Sequence, residues 1–170
     1  VPEVIEKVLG TKEEIHRLAG CIINARDVFM IGRGLDYSIL LEGSLKLKEV
    51  SYIHSEAYAS GELKHGTIAL ITEDTPVIAV VTQEKLKSKE LSNIREVQSR
   101  GARVVLLIKE GETLNEGRQW SCVYRLPVME DPFMVMPASV VLQLIAYYVS
   151  LDKGLDVDKP RNLAKVVTVE

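Results

Sequence analysis

Val28-Phe29-Met30-Ile31, followed by Gly32-Arg33-Gly34 and a helical run over 38–53, is the stretch that decides the fold. Four consecutive apolar residues leave no polar face, so the run predicts a strand buried on both sides, as in a parallel sheet. Working outward, similar runs at 68–71, 77–81 and 104–108 predict further buried strands, and 122–126 predicts a weaker one. Upstream, Thr11 and Glu14 have capping-box spacing and open a helix whose apolar stripe is Ile15, Leu18, Ala19, Ile22 and Ile23. Downstream, the polar-amphipathic segment 83–100, closed by Gly101, predicts a helix. Pro137 sits in the first turn of a last, apolar helix that reaches Leu151. Strands that alternate with helices predict an α/β fold, a parallel sheet flanked by helices.

The chain has 170 residues, 46% of them hydrophobic, enough for one domain with its own core. Acidic and basic residues are mixed and the formal charge is −3, which argues against a nucleic-acid surface. Cys21 and Cys122 lack any C-x-x-C spacing and read as two separate buried thiols of a reduced compartment. No signal peptide is visible, and the apolar stretch 138–151, interrupted by Gln143, reads as too short to span a bilayer. These features predict a cytoplasmic location with no membrane partner. Because the chain opens on Val1 rather than Met, it is expected to be a piece of a longer protein. Residues 11–151 form the expected core unit, and 152–170 a tail whose closing apolar residues need a cover.

Ligands of open parallel sheets sit beyond the carboxyl ends of the strands, so those loops are the first place to look for chemistry. Gly32-Arg33-Gly34-Leu35-Asp36-Tyr37 lacks the third glycine of a dinucleotide fingerprint. With Ser38 as its one hydroxyl, it also makes a poor phosphate cradle. On the next helix Lys46 is spaced i,i+4 from Glu42 and i,i+3 from Glu49. Two readings stay open there, a solvated ion-pair face or a pair converging on a ligand. Leu40, Leu41, Leu45 and Val50 are the expected core positions of that helix. His65, bracketed by glycines and charges in Ser60-Gly61-Glu62-Leu63-Lys64-His65-Gly66, reads as an imidazole presented by a loop. His16 is expected to be exposed and His54 to be a hydrogen-bonded structural residue. The three histidines show no metal-ligand spacing, so no metal is expected.

Gly32-Arg33-Gly34 together with Leu41-Glu42-Gly43-Ser44-Leu45-Lys46-Leu47-Lys48-Glu49 resembles the second sugar-isomerase (SIS) repeat of the glucosamine-6-phosphate synthase family. So do His54-Ser55-Glu56-Ala57, Gly61-Glu62-Leu63-Lys64-His65-Gly66 and the tail Pro160-Arg161-Asn162-Leu163-Ala164-Lys165. Thr67 departs from the family's usual proline. The resemblance implies a flavodoxin-like, five-stranded parallel sheet and the conversion of fructose 6-phosphate and ammonia to glucosamine 6-phosphate, with no cofactor. It also implies roles. Glu49 is the base that moves a proton between C1 and C2, and Lys46 handles hydroxyl protons beside it. His65 opens the sugar ring across the interface of a homodimer. Lys165 forms a Schiff base with the open-chain ketose, Ala164 offers backbone contacts to the sugar, and the tail closes over the site. The family's phosphate-binding hydroxyls belong to the first repeat and its nucleophilic cysteine to a glutaminase domain, so this chain alone is expected to be inactive. The alternative from another class is a non-catalytic SIS module that binds or senses a sugar phosphate.

Overall fold

The computed structural model describes residues 1–114, 120 and 122–163. Five strands, β1 Asp27–Gly32, β2 His54–Ala59, β3 Pro76–Val81, β4 Arg103–Lys109 and β5 Cys122–Leu126, form one sheet in the order β2-β1-β3-β4-β5. Every neighbouring pair is parallel. Helices α1 Pro2–Gly10, α2 Lys12–Gly20, α3 Leu35–Ser51 and α5 Val135–Asp152 pack over one face, and α4 Lys87–Gln98 over the other. The central strands carry apolar side chains on both sides. In β3, Ile78 and Val80 point into the first core, whereas Val77, Ala79 and Val81 point into the second. This is the parallel sheet flanked by helices that the strand pattern predicts, with the five strands that the resemblance implies.

Several elements differ from the expectation. The second strand is not 68–71, which forms a 3-10 turn, Thr67–Leu70. It is His54–Ala59, whose alternating exposure marks an edge strand. Helix α1 went unread, and Thr11 caps α2 without the boxed side-chain bond: its hydroxyl donates to the Val8 carbonyl and pairs with the Tyr124 hydroxyl. Cys21 and Cys122 are not separate buried thiols. They are half-exposed and joined as a disulfide, with Cα atoms 7.2 Å apart, because the end of α2 lies against β5. No pattern along the chain reports a proximity spanning 101 residues. The run ahead of Asp152, read as too short for a bilayer, extends over Asp131–Asp152 and is long and apolar enough for one by composition. An 18-residue stretch of it is nevertheless half buried within the fold, where α5 packs on α3.

Candidate active site

Helix α3 links the carboxyl end of β1 to the amino end of β2, so it runs back along the sheet and finishes at the amino ends of the strands. Its buried stripe is Ile39, Leu40, Gly43, Ser44, Leu47 and Ser51. Gly43 permits the close approach of α5, since a Cβ there would stand 2.9 Å from Leu142 Cδ1. Leu41 and Leu45, expected in the core, are instead 48% and 44% exposed, one position off that stripe. The free face carries Glu42, Lys46 and Glu49. Lys46 Nζ donates to Glu49 Oε2 at 2.7 Å and lies 3.7 Å from Glu42 Oε1. The hydrogen bond to Glu49 raises the Lys46 pKa above the ordinary lysine value, against a smaller desolvation effect. Lys46 therefore keeps its proton as a donor beside a half-buried carboxylate.

The tail approaches the same helix end. Tyr52 caps α3 in the left-handed region, three residues beyond Glu49. Its hydroxyl accepts from the Arg161 backbone N–H at 2.9 Å, and the Arg161 guanidinium stacks 4.1 Å from its ring centroid. Lys153 Nζ donates to the Ser51 carbonyl at 2.8 Å, and Ser150 Oγ to that of Val50 at 2.8 Å. Three residues of helix rise only about 5 Å, so the tail is tied to the same end of the helix that carries Glu49. Ala164 and Lys165 lie outside the described residues, one and two positions past Leu163. Tyr52 and Arg161 are contributors that sequence reading missed. Arg161 falls within the quoted tail motif, but nothing along the chain pairs it with Tyr52.

His65 is elsewhere. It closes the 3-10 turn Glu62–His65 beyond the carboxyl end of β2, followed by Gly66 at φ 147°, a conformation that favours glycine. Its ring is 75% exposed, 3.9 Å from Glu62. The length of β2, about 20 Å at 3.3 Å per residue, separates its end of the sheet from that of Glu49. One chain thus brings Lys46, Glu49 and the approach of the tail together and leaves His65 apart. The other histidines follow expectation in part. His16 pairs with Asp152 and stacks on Tyr148, and His54, though 61% exposed, is hydrogen-bonded to Asp27 at 2.9 Å.

The carboxyl-end crevice between β1 and β3, where a ligand of such a sheet would sit, is filled by the protein's own acids. Asp36 is 2% exposed and accepts from the Thr82 N–H at 2.8 Å and from the Thr82 hydroxyl. Burial raises its pKa above the usual carboxylate value. Glu90, also 2% exposed, is pushed up to about 7 by burial. With one buried acid in the first turn of α3 and another in that of α4, the two helix starts make a poor phosphate cradle. Among the described residues no group of three or more His, Cys, Asp or Glu could hold a metal ion.

Residues 21–152 match the SIS domain family. Over all 170 residues the chain is 52% identical to the glutamine–fructose-6-phosphate aminotransferases [isomerizing] of Caldanaerobacter subterraneus and Clostridium acetobutylicum. It spans 28% of the length of each. Among solved structures, the C-terminal domain of glucosamine-fructose-6-phosphate aminotransferase from Francisella tularensis superposes with a TM-score of 0.86 at 39% identity. That match covers 92% of this chain and 44% of the other. A glucosamine-6-phosphate deaminase from Thermotoga maritima superposes with a TM-score of 0.66 at 25% identity, covering 95% and 48%.

Proposed function

We propose, from the premise that this chain belongs to the SIS domain family, that it is the catalytic second SIS unit of an enzyme that aminates and isomerises fructose 6-phosphate to glucosamine 6-phosphate. The observation that carries this reading is the Lys46–Glu49 pair at the end of α3, with the tail docked on Tyr52 one turn away. In this reading Glu49 takes a proton from C1 of the sugar imine and returns one to C2, which a single carboxylate on one face can do. Lys46, held protonated, donates to the sugar oxygens. Lys165 attacks C2 of the open-chain ketose as a neutral amine, and its Schiff base is displaced by ammonia from a glutaminase domain. Ala164 meets the sugar through its backbone as the tail closes. Phosphate is held by hydroxyls of a companion SIS unit. His65 opens the ring of substrate bound at the partner subunit of a homodimer, in the cytoplasm. A sensor module would need its own phosphate cradle, and the buried Asp36 and Glu90 oppose one here.

The test is borohydride trapping with fructose 6-phosphate in a full-length relative carrying this chain in place of its matching residues. The label is expected on Lys165. Label on any other lysine removes the nucleophilic role from the tail.

A further inference from the structure

The segment that presents His65 is anchored at four residues, none of them His65. Ser60 N–H donates to the Gly32 carbonyl at 3.0 Å, and Ser60 Oγ donates to Glu90 Oε2. With the Asn93 amide oriented by its neighbours, its oxygen accepts from the Gly61 N–H at 3.2 Å and from Arg33 Nη2 at 3.0 Å. Arg33 Nε lies 3.9 Å from Glu90 Oε2, which closes the ring of contacts. Beyond it, Leu63 is 2% exposed in the second core, and Lys64 Nζ donates to Glu96 Oε1 at 2.7 Å. Glu90, Asn93 and Glu96 share one side of α4, spaced i, i+3, i+6. A buried carboxylate and a buried amide are costly unless hydrogen-bonded. Asn93 is bonded to Gly61 and Arg33, whereas Glu90 Oε1 has no hydrogen-bond partner among the described residues, so the burial of Glu90 costs stability that its bond to Ser60 offsets only in part.

We infer that Arg33, Glu90 and Asn93 are positioning residues that fix Ser60–Gly61, and with them the direction in which His65 is carried to the partner's substrate. This rests on the ring-opening reading of His65. Among the described residues the network touches neither the Lys46–Glu49 pair nor the tail, so its effect belongs to ring opening and not to the enolisation that follows. Catalytic geometry held to fractions of an ångström is what such a supporting network supplies.

The test compares fructose 6-phosphate with 5-deoxyfructose 6-phosphate, which lacks the hydroxyl that closes the ring and so reaches the site open. It uses the full-length relative carrying this chain. The readout is the ratio of kcat/KM for the first substrate to that for the second. Gly61→Ala is the clean probe. Gly61 has helical dihedrals that alanine adopts freely, and the atoms nearest to the added Cβ all belong to the Arg33 guanidinium, with Nη2 at 2.7 Å. Gly61→Ala and Asn93→Ala are each expected to lower the ratio about tenfold, the size typical of a supporting partner's loss. Lys64→Ala, an exposed change that spares the fold, is expected to lower it less. His65→Ala serves as the reference and should lower it most. If His65→Ala lowers the ratio while Gly61→Ala and Asn93→Ala, folded by circular dichroism, depress both substrates equally or neither, the positioning role is overturned alone. If His65→Ala leaves the ratio unmoved, the ring-opening reading fails and the positioning role falls with it.

Discussion

At the residue scale, two acids divide the chemistry from the cost. Glu49 sits half-buried with the Lys46 amine 2.7 Å from its Oε2, and in the proposed reading it is the base. Glu49→Gln is expected to lower kcat by roughly 10²- to 10⁴-fold, the usual share of a general base, when turnover is measured in the full-length relative carrying this chain. Glu90 is the opposite case. Burial raises its pKa from 4.5 to about 7, so the unfolded chain gives up the proton first. The contribution of Glu90 to stability is therefore full below about pH 4.5, declines as the pH rises towards 7, and stays flat above it. At about 1.4 kcal/mol per pKa unit the decline is on the order of 3 kcal/mol. Glu90→Gln, a neutral mimic of the acid form, is expected to flatten this dependence and to raise stability at pH 8 relative to the parent. Urea unfolding of the chain at pH 5 and pH 8 checks it, and an unchanged difference between the two pH values would rule it out.

At the element scale, α3 carries the account. Its last turn brings together Lys46, Glu49 and Tyr52, and Tyr52 receives the returning tail through one backbone hydrogen bond and one cation–π contact, the latter worth about 0.5–1 kcal/mol at an exposed site. Tyr52→Ala is expected to speed amide exchange over 156–163 several-fold while leaving β3 and β4 protected. Unchanged exchange in the tail would show that Tyr52 does not hold it.

Which elements were legible follows from their surroundings. Runs such as Val104–Ile108 are apolar because helices cover both faces of the sheet there, so the pattern alone identifies them. His54–Ala59 escaped because an edge strand alternates, with Ser55 buried and His54 and Glu56 exposed. The run 68–71 misled because apolar residues also line a crossover made of 3-10 turns, where Ile71 is buried but Leu70 is 62% exposed. Leu41 and Leu45 misled because leucine on the free face of a helix looks like core until the opposing Gly43 and Ser44 are seen to pack. The candidate site was legible only as motifs. The i,i+3 spacing put Lys46 and Glu49 on one face, but the Tyr52–Arg161 contact, the Glu90–Asn93 anchor and the Cys21–Cys122 link all join residues distant along the chain.

At the scale of the whole molecule, the sheet separates the Lys46–Glu49 pair from the His65 imidazole. The Lys46–Glu49 end and the His65 end lie at opposite ends of β2, and in the proposed reading the three groups meet around one sugar because His65 comes from another copy. The most direct measurement mixes two inactive full-length proteins carrying this chain, one His65→Ala and the other Glu49→Gln, and follows turnover of fructose 6-phosphate after subunit exchange. In a two-fold symmetric dimer each mixed pair holds one intact site, so a fully exchanged equal mixture recovers about a quarter of the parent activity. Exchange confirmed by mass, with activity no higher than that of either variant alone, would contradict the account.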